Sequence, residues 1–189
     1  MGVSIATTEG LFIPYNDWNK QGTAVGVSIK TEKVSFIMGL KGRASKAWNS
    51  TGGFVQEIPS ADSSDDASKY TDGVEYTNIL YNESPSTTYA AGYANSFTIT
   101  IGEKTLTGYV GSSGEWAEAL RLYEDVLAAA ALVNLDLVGN YDTSFFWSSV
   151  QYGEANAWRA FWRNKSNQFY LASYSKKNTG KVLPFFKYE

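Results

Sequence analysis

The sequence from Trp158 to Arg163 alternates strictly between two kinds of residue. In an extended chain, successive side chains point to opposite faces. One face therefore carries Trp158, Ala160 and Trp162, and the other carries Arg159, Phe161 and Arg163. The first set is bulky and apolar, as in a core, whereas the second is cationic and aromatic, which is unusual for a face that only contacts water. The pattern predicts a half-buried strand whose outer face has a role in binding.

Other alternating stretches predict strands elsewhere in the chain. Residues 23–40 are predicted to form two strands joined by a turn at 31–33, and residues 97–110 to form a strand, a turn and a strand. After Gly139 the sequence predicts only strands and loops. Between these regions, residues 41–68 predict a long ordered loop held by a few buried side chains, namely Trp48, Phe54 and Ile58.

The two terminal apolar runs, residues 10–15 and 181–186, are expected to lie adjacent in one sheet. Pro184 lacks a backbone N–H, so the second run is predicted to be an edge strand. The residues before the first run, 1–9, are interpreted as a short lead or attachment segment. Residues 10–189 are then expected to form a single domain.

Helical periodicity is confined to the middle of the chain. One helix is predicted near 72–82, followed by a break at Pro85 and a second helical piece from 86 or 87 towards 94. The clearest helix begins at Ser112, where Glu115 three residues later forms a capping box, and it is expected to end by Gly139. Its apolar stripe, interpreted as core, consists of Trp116, Leu120, Tyr123, Leu127 and Ala130 or Ala131. Strands and helices in separate regions predict an α+β fold.

Composition and charge narrow the function. The chain has 189 residues, 43% of them hydrophobic and 15% aromatic, which suits one domain with a sizeable core. Its net charge of -3, without a basic block, predicts no binding to nucleic acid. The longest apolar run, 126–133, is too short to cross a bilayer, and the start lacks the pattern of a secretory signal. No membrane insertion is expected.

The chain contains no cysteine and no histidine, which removes most catalytic arrangements. Neither a Ser-His-Asp or Cys-His relay nor a zinc site of the usual ligands can be built. Asp65 and Asp66 are adjacent, but their Ser- and Asp-rich surroundings predict a solvated loop. We therefore expect no enzyme activity, no cofactor and no metal. A carbohydrate-active enzyme that uses two carboxylates stays an alternative, because such a pair cannot be recognised in one sequence.

Several segments resemble, in the same order, C-type-lectin-like domains of gut Bacteroidales and their phages, some of which are variable proteins of diversity-generating retroelements. The segments are "GLFIPYNDW", "AVGVSIKTEKVSFIMGL", "GYVGSSGEW", "FFWSSVQYGEANAWRAFW" and "KVLPFF". The likeness implies a C-type-lectin-like fold with two helices and twisted antiparallel sheets, in which the N- and C-terminal strands pair. The calcium-dependent sugar motifs Glu-Pro-Asn, Gln-Pro-Asp and Trp-Asn-Asp do not occur, so no calcium-dependent sugar site is expected.

In such proteins the stretch after "WSS" displays the binding face. The positions that match it here, all predicted to bind ligand, are Tyr152, Glu154, Asn156, Arg159, Phe161, Arg163, Asn167, Tyr170 and Tyr174. The residues that match the buried scaffold are Trp147, Trp158 and Trp162. Tyr, Asn, Ser and Arg are also the residues that antibody loops favour, because they give large or adaptable contacts. The retroelement mechanism rewrites adenines, and its products would include Tyr152, Asn156, Phe161, Asn164, Asn167, Tyr170, Ser173 and Tyr174.

The resemblance implies a non-enzymatic receptor-type or adhesin-type module on a phage virion or bacterial surface. Its expected partner is a protein or glycan of the host-cell surface. A structural virion or surface component, whose aromatic face contacts copies of itself or other virion proteins, is the first alternative. The carboxylate-dependent enzyme is the second.

Overall fold

The computed structural model describes residues 1–138, 145–163 and 168–188. The described chain forms two β-sheets with α-helices packed between and around them. The seven-stranded sheet has, in spatial order, β2 (Phe12–Pro14), β1 (Gly2–Thr7), β3 (Ala24–Lys30), β4 (Ser35–Gly39), β12 (Pro184–Lys187), β7 (Lys104–Val110) and β6 (Thr98–Ile101). The five-stranded sheet has β10 (Gln168–Ser175), β9 (Asn156–Arg163), β8 (Phe145–Tyr152), β11 (Thr179–Val182) and β5 (Ala44–Ala47). The prediction of an α+β fold is confirmed.

The predicted hairpins are confirmed: β3 pairs with β4, and β6 pairs with β7. The seven-stranded sheet curves strongly, since the Gly102 N–H, in the turn after β6, donates to the Thr8 carbonyl near the opposite edge at 2.8 Å. Gly102 has φ +58°, a conformation that glycine adopts without strain. Phe12 and Tyr188 also meet across this curve, with ring centroids 4.4 Å apart.

The predicted pairing of the terminal strands is wrong. β2 and β12 share a sheet, but β12 pairs with β4 and β7. The β3–β4 hairpin lies between the termini, because its short turn keeps its two strands together while β3 pairs with β1. β12 is therefore a central strand, and Pro184 is accommodated as its first residue. Residues 1–9 are likewise more than a lead segment, because Gly2–Thr7 pairs with β3 along its whole length and buries Ile5 and Ala6.

The described helices are α1 (Ser64–Ala67), α2 (Gly73–Glu83), α3 (Ala90–Asn95), α4 (Ser113–Arg121) and α5 (Tyr123–Leu132), five instead of the expected two. The predicted positions of α2 and α3 are approximately right. The helix predicted from Ser112 is split at Leu122, where the backbone leaves the helical conformation, and α5 ends at Leu132 instead of reaching Gly139. Gly139 itself lies outside the described residues. Among the described helices, none is long and apolar enough to cross a membrane.

The main core lies between the two sheets and is centred on α4. Trp116 of this helix is fully buried and packs on Phe146 of one sheet and Phe185 of the other, with ring centroids 5.3 and 4.6 Å away. Its indole N–H donates to the Trp147 carbonyl at 3.2 Å. As predicted, Leu120 and Ala130 are buried, although Tyr123 and Leu127 are only partly so. Trp116, the first residue of the predicted helical stripe, therefore links the two sheets.

The segment 41–68 is more structured than the predicted loop. It contains the strand β5 and the helix α1, and it buries Trp48 and Ile58 as expected. Phe54, predicted to be buried, is instead 51% exposed. The segment is held partly by backbone hydrogen bonds to β8, in which the Ala61 N–H donates to the Gln151 carbonyl at 3.0 Å.

The capping box predicted at Ser112 and Glu115 is present and completely buried. The Ser112 hydroxyl accepts from the Glu115 N–H, and the Glu115 carboxylate accepts from the Ser112 N–H at 2.8 Å and from the Tyr109 hydroxyl at 2.6 Å. Burial outweighs these hydrogen bonds and raises the pKa of Glu115 to about 7. The folded protein thus holds a proton that the unfolded chain releases near pH 4.5.

Because the folded protein holds this proton, we expect the free energy of unfolding to fall as the pH rises from 5 to 7. The stabilisation from protonated Glu115 is complete below its unfolded pKa, near 4.5, and is lost as the pH rises through its folded pKa of about 7. The loss is on the order of 3 kcal/mol. Because the chain has no histidine and the pKa of Lys176 is about 8, other side chains interfere little in this window. Urea unfolding from pH 5 to 7.5 would measure the slope, and Glu115→Gln should flatten it. An equal slope in the variant would contradict the assignment.

Candidate functional site

The register of β9 sorts its side chains as the sequence predicts. Trp158, Ala160 and Trp162 are buried on the inner face, whereas Arg159 and Phe161 are partly exposed on the outer face. The Trp158 indole N–H donates to the Ala61 carbonyl at 3.1 Å, which anchors the strand to the neighbouring segment. The predicted burial of Trp147 is confirmed as well. Trp158 and Trp162 therefore pack beneath the outer face of β9, whereas Trp147, which pairs with Arg159, is buried on the outer face itself.

Five side chains meet on this outer face: Phe145, Arg159, Phe161, Tyr170 and Tyr174, here called the Arg159 cluster. The Arg159 guanidinium carbon lies 3.7 Å from the Tyr174 ring centroid, 4.0 Å from that of Phe145 and 4.3 Å from that of Phe161. Phe161 and Tyr170 stack at 5.0 Å with an interplanar angle of 12°. A cation among aromatic faces is stabilised by their quadrupoles.

Cross-strand pairing explains why these side chains meet. Phe161 is directly opposite Phe145 on one side and Tyr170 on the other, and Arg159 is opposite Ala172. Ala172 is small, which leaves space above the middle of the sheet for the guanidinium group. Paired side chains in antiparallel strands stand about 5 Å apart on the same face.

A glycine in the adjacent strand completes the floor of the cluster. A Cβ atom at Gly180 would lie 2.5 Å from ring atoms of Trp147 and 2.8 Å from the Phe145 ring. Only glycine therefore lets these two rings lie against β11. Phe145 is held in turn at 6.2 Å from Trp147, edge to face.

The electrostatics of Arg159 are unusual for a surface cation. The ion pairs among the described residues involve Lys33, Arg43, Lys69 and Arg121, and none involves Arg159. Its Nε atom is buried without a hydrogen-bond partner in the described chain. Burial lowers the pKa of Arg159 from its ordinary value, and interactions with Tyr174 and Tyr170 partly oppose this. The group remains charged at neutral pH, because an arginine side chain is not deprotonated in proteins.

The structure brings together four of the nine predicted binding residues: Arg159, Phe161, Tyr170 and Tyr174. The assignment of Tyr152 and Asn156 to the face of Arg159 is wrong. The two residues pair with each other, and the Tyr152 ring packs on Trp158 of the inner face, with ring centroids 5.5 Å apart. Glu154 is exposed in the turn between β8 and β9. The Arg163 side chain and the whole of Asn167 lie outside what the structure describes.

Sequence reasoning missed Phe145 as a member of the site. A signal was present, because neighbouring side chains of a strand point to opposite faces. Phe145 must therefore face away from the side on which Phe146 is buried. Which residue of β9 it would meet depends on the pairing register, however, and β8 changes register between Trp147 and Gln151. That irregularity has no simple sequence marker.

Lys176, just after β10, supports the site from beneath the β8–β9 turn. It is 1% exposed, and its ammonium donates to the Gln151 side-chain oxygen at 2.8 Å and to the carbonyls of Gly53 and Glu154 at 2.9 and 3.1 Å. Burial lowers its pKa to about 8. With three acceptors and no exposed surface, it ties two loops together.

Comparisons with models of protein families, with curated protein sequences and with solved structures found no match to this chain. The interpretation of the site therefore rests on its own geometry and chemistry.

Within the described ranges, no three metal-ligating side chains are grouped so that they could hold an ion. Asp65 and Asp66 lie in the first turn of α1, not in a loop, and Asp66 pairs with Lys69 at 3.2 Å. The Arg159 cluster offers aromatic faces and a positive charge, groups that interact with other molecules through stacking and ion pairing.

Proposed function

We propose that the protein is a non-enzymatic ligand-binding module of the C-type-lectin-like class and that the Arg159 cluster is its binding face. One observation carries the proposal: a cation without an ion-pair partner in the described chain lies among three aromatic rings beside Tyr170, which is 40% exposed. Tyr and Arg are the residues in which binding energy concentrates at interfaces.

The mixed fold and the rigid support of the cluster are consistent with this class. The buried positions of Trp147, Trp158 and Trp162 match those that the resemblance gives to the scaffold. Three cluster residues, Phe161, Tyr170 and Tyr174, are also among the products that a retroelement would generate. The separation of β2 from β12 in the seven-stranded sheet departs from the terminal pairing that the resemblance implies.

The proposed setting is the surface of a phage particle or of a bacterium, and the proposed partner is a protein or glycan of a host cell. Virion proteins or other copies of this chain would be the partners if the aromatic face served assembly instead. In the first setting, substitutions in the Arg159 cluster should abolish binding to host cells. In the second, they should change the assembly state of the protein. One variant of the cluster and one control variant separate the two settings.

Replacement of both Arg159 and Tyr170 by Ala is expected to abolish binding to host cells, measured by capture of Bacteroidales cells and on an array of their surface glycans. Stability should fall by only about 1 kcal/mol per site, because both side chains are partly exposed. Tyr81→Ala, which removes a tyrosine of similar exposure from α2, is the control and should bind like the parent.

Binding by the double variant equal to that of the parent would overturn the assignment of the face. A change of molecular mass in light scattering, with no effect on capture, would favour the structural component.

A further inference from the structure

The positive charge of the Arg159 cluster has no ion-pair partner among the described residues. Burying a cation is unfavourable unless an anion or hydrogen-bond acceptors compensate it. The rings of Phe145, Phe161 and Tyr174 and a hydrogen bond with the Tyr174 side chain supply part of the compensation, but no ion pair of the described residues involves Arg159, and its Nε is left without a hydrogen bond. A guanidinium presents several N–H donors in one plane, an arrangement that matches the two oxygens of a carboxylate.

A flat apolar surface lies directly beside this cation. Tyr170 stacks on Phe161 and leaves its own ring partly open to solvent. The face of an aromatic ring is electron-rich and attracts polarised C–H groups. The C–H face of a pyranose ring is such a surface, so the stacked pair can hold a sugar next to Arg159.

A cleft with four polar side chains, here called the polar cleft, continues from Tyr170 around the edge of β10. Its volume is about 300 Å³, and its lining combines Ser64, Asp65, Ser68 and Arg121 with apolar residues such as Leu120 and Phe169. Arg121 pairs with Glu118 and the Ser68 hydroxyl donates to the Asp65 carbonyl, but the remaining donors and acceptors of these side chains suit sugar hydroxyls. The cleft and the Arg159 cluster share Tyr170, so one extended ligand can contact both.

We infer that the ligand is an acidic glycan, whose sugar carboxylate pairs with Arg159 while an adjacent sugar ring packs on Tyr170 and the following units enter the polar cleft. The inference rests on the proposed function and names its ligand class. An acidic peptide would also supply a carboxylate, but the hydroxyl-matching cleft and the open ring face favour the sugar.

The direct test is calorimetric titration of the full chain with a tetramer of galacturonic acid. Maltotetraose is the neutral control, and a tetramer of glutamic acid is the peptide control. We expect the acidic sugar to bind at least ten-fold more tightly than either control. Its affinity should fall several-fold between 0.05 and 0.5 M NaCl, because partly exposed ion pairs are screened.

Variants then assign the effect to this site. Arg159→Gln should weaken binding of the acidic sugar at least ten-fold, and Arg159→Lys should retain part of it because the charge remains. Lys104→Gln is the matched control, since Lys104 also lies over an aromatic ring, at 5.6 Å from Tyr188, but on the other sheet. It should change nothing. If Arg159→Gln does not fold, Tyr170→Ala and the salt dependence of the parent supply the same information.

Equal affinity for the neutral and the acidic sugar, tighter binding of the peptide, or an unchanged affinity in Arg159→Gln would each overturn the inference. The proposed function is judged separately, by cell capture with the Arg159 and Tyr170 double variant. Capture that depends on these residues without preference for acidic sugars would refute only the ligand class.

Discussion

A chain that ends at Leu183 is expected not to fold. The truncation removes β12, which pairs with β4 on one side and with β7 on the other. It also removes Phe185, whose ring stacks on Phe36 at 4.6 Å and lies 4.6 Å from Trp116. Loss of one buried Phe side chain costs about 3–5 kcal/mol, and the whole stability of a domain is about 5–15 kcal/mol. Two new sheet edges would be exposed in addition.

Thermal unfolding followed by circular dichroism would test this, with loss of the cooperative transition as the expected result. A chain that ends at Phe186 is the matched control. It keeps both buried phenylalanines and loses only Lys187, Tyr188 and Glu189, so it should still melt cooperatively, at a somewhat lower temperature. A cooperative transition near that of the parent in the shorter chain would show that β12 is dispensable and that the sheet order is wrong.

The same strand shows which part of the fold local sequence can predict. Alternation and turn residues identified the two hairpins because a strand, a short turn and the next strand are neighbours in the chain. The partners of the last strand, β4 and β7, both lie more than seventy residues earlier in the chain, and nothing in the pattern of the last strand distinguishes them from β2. Pro184 indicated an edge, but a proline at the first position of a strand removes a hydrogen bond only at its end.

The split between α4 and α5 had no signal in the periodicity. Neither proline nor glycine marks Leu122, and the apolar stripe continues through it. α4 is buried between the sheets, whereas α5 packs on β1 and β3, so the chain must change direction for both helices to bury their faces. The change of direction is imposed by the tertiary structure, so the helix propensity of the residues around Leu122 gives no indication of it.

For the site, the sequence predicted the strand and the members of β9 and β10, because period-two alternation is a local property. The same alternation places Asn156, three residues before Arg159 in β9, on the face of Trp158, so its assignment to the outer face was an error that the sequence itself could have corrected. The orientation of Tyr152 could not be predicted in this way, because it depends on the register change in β8. The burial of Lys176 could not be predicted either, because nothing in the sequence indicates that three oxygen atoms will accept hydrogen bonds from its ammonium group.

The neighbouring residues Trp158 and Arg159 should respond to alanine substitution in opposite ways, because Trp158 belongs to the core and Arg159 to the proposed binding face. Trp158→Ala removes a nearly buried indole and its hydrogen bond to Ala61, and should destabilise the protein by about 3–5 kcal/mol. Arg159→Ala loses a partly exposed cation–aromatic contact, for which about 1 kcal/mol is expected. Urea unfolding of both variants would give the two values, and capture of host cells should be lost in Arg159→Ala while its fold is retained. The reverse ranking would mean that β9 is displaced by one residue, which would turn its whole outer set towards the core.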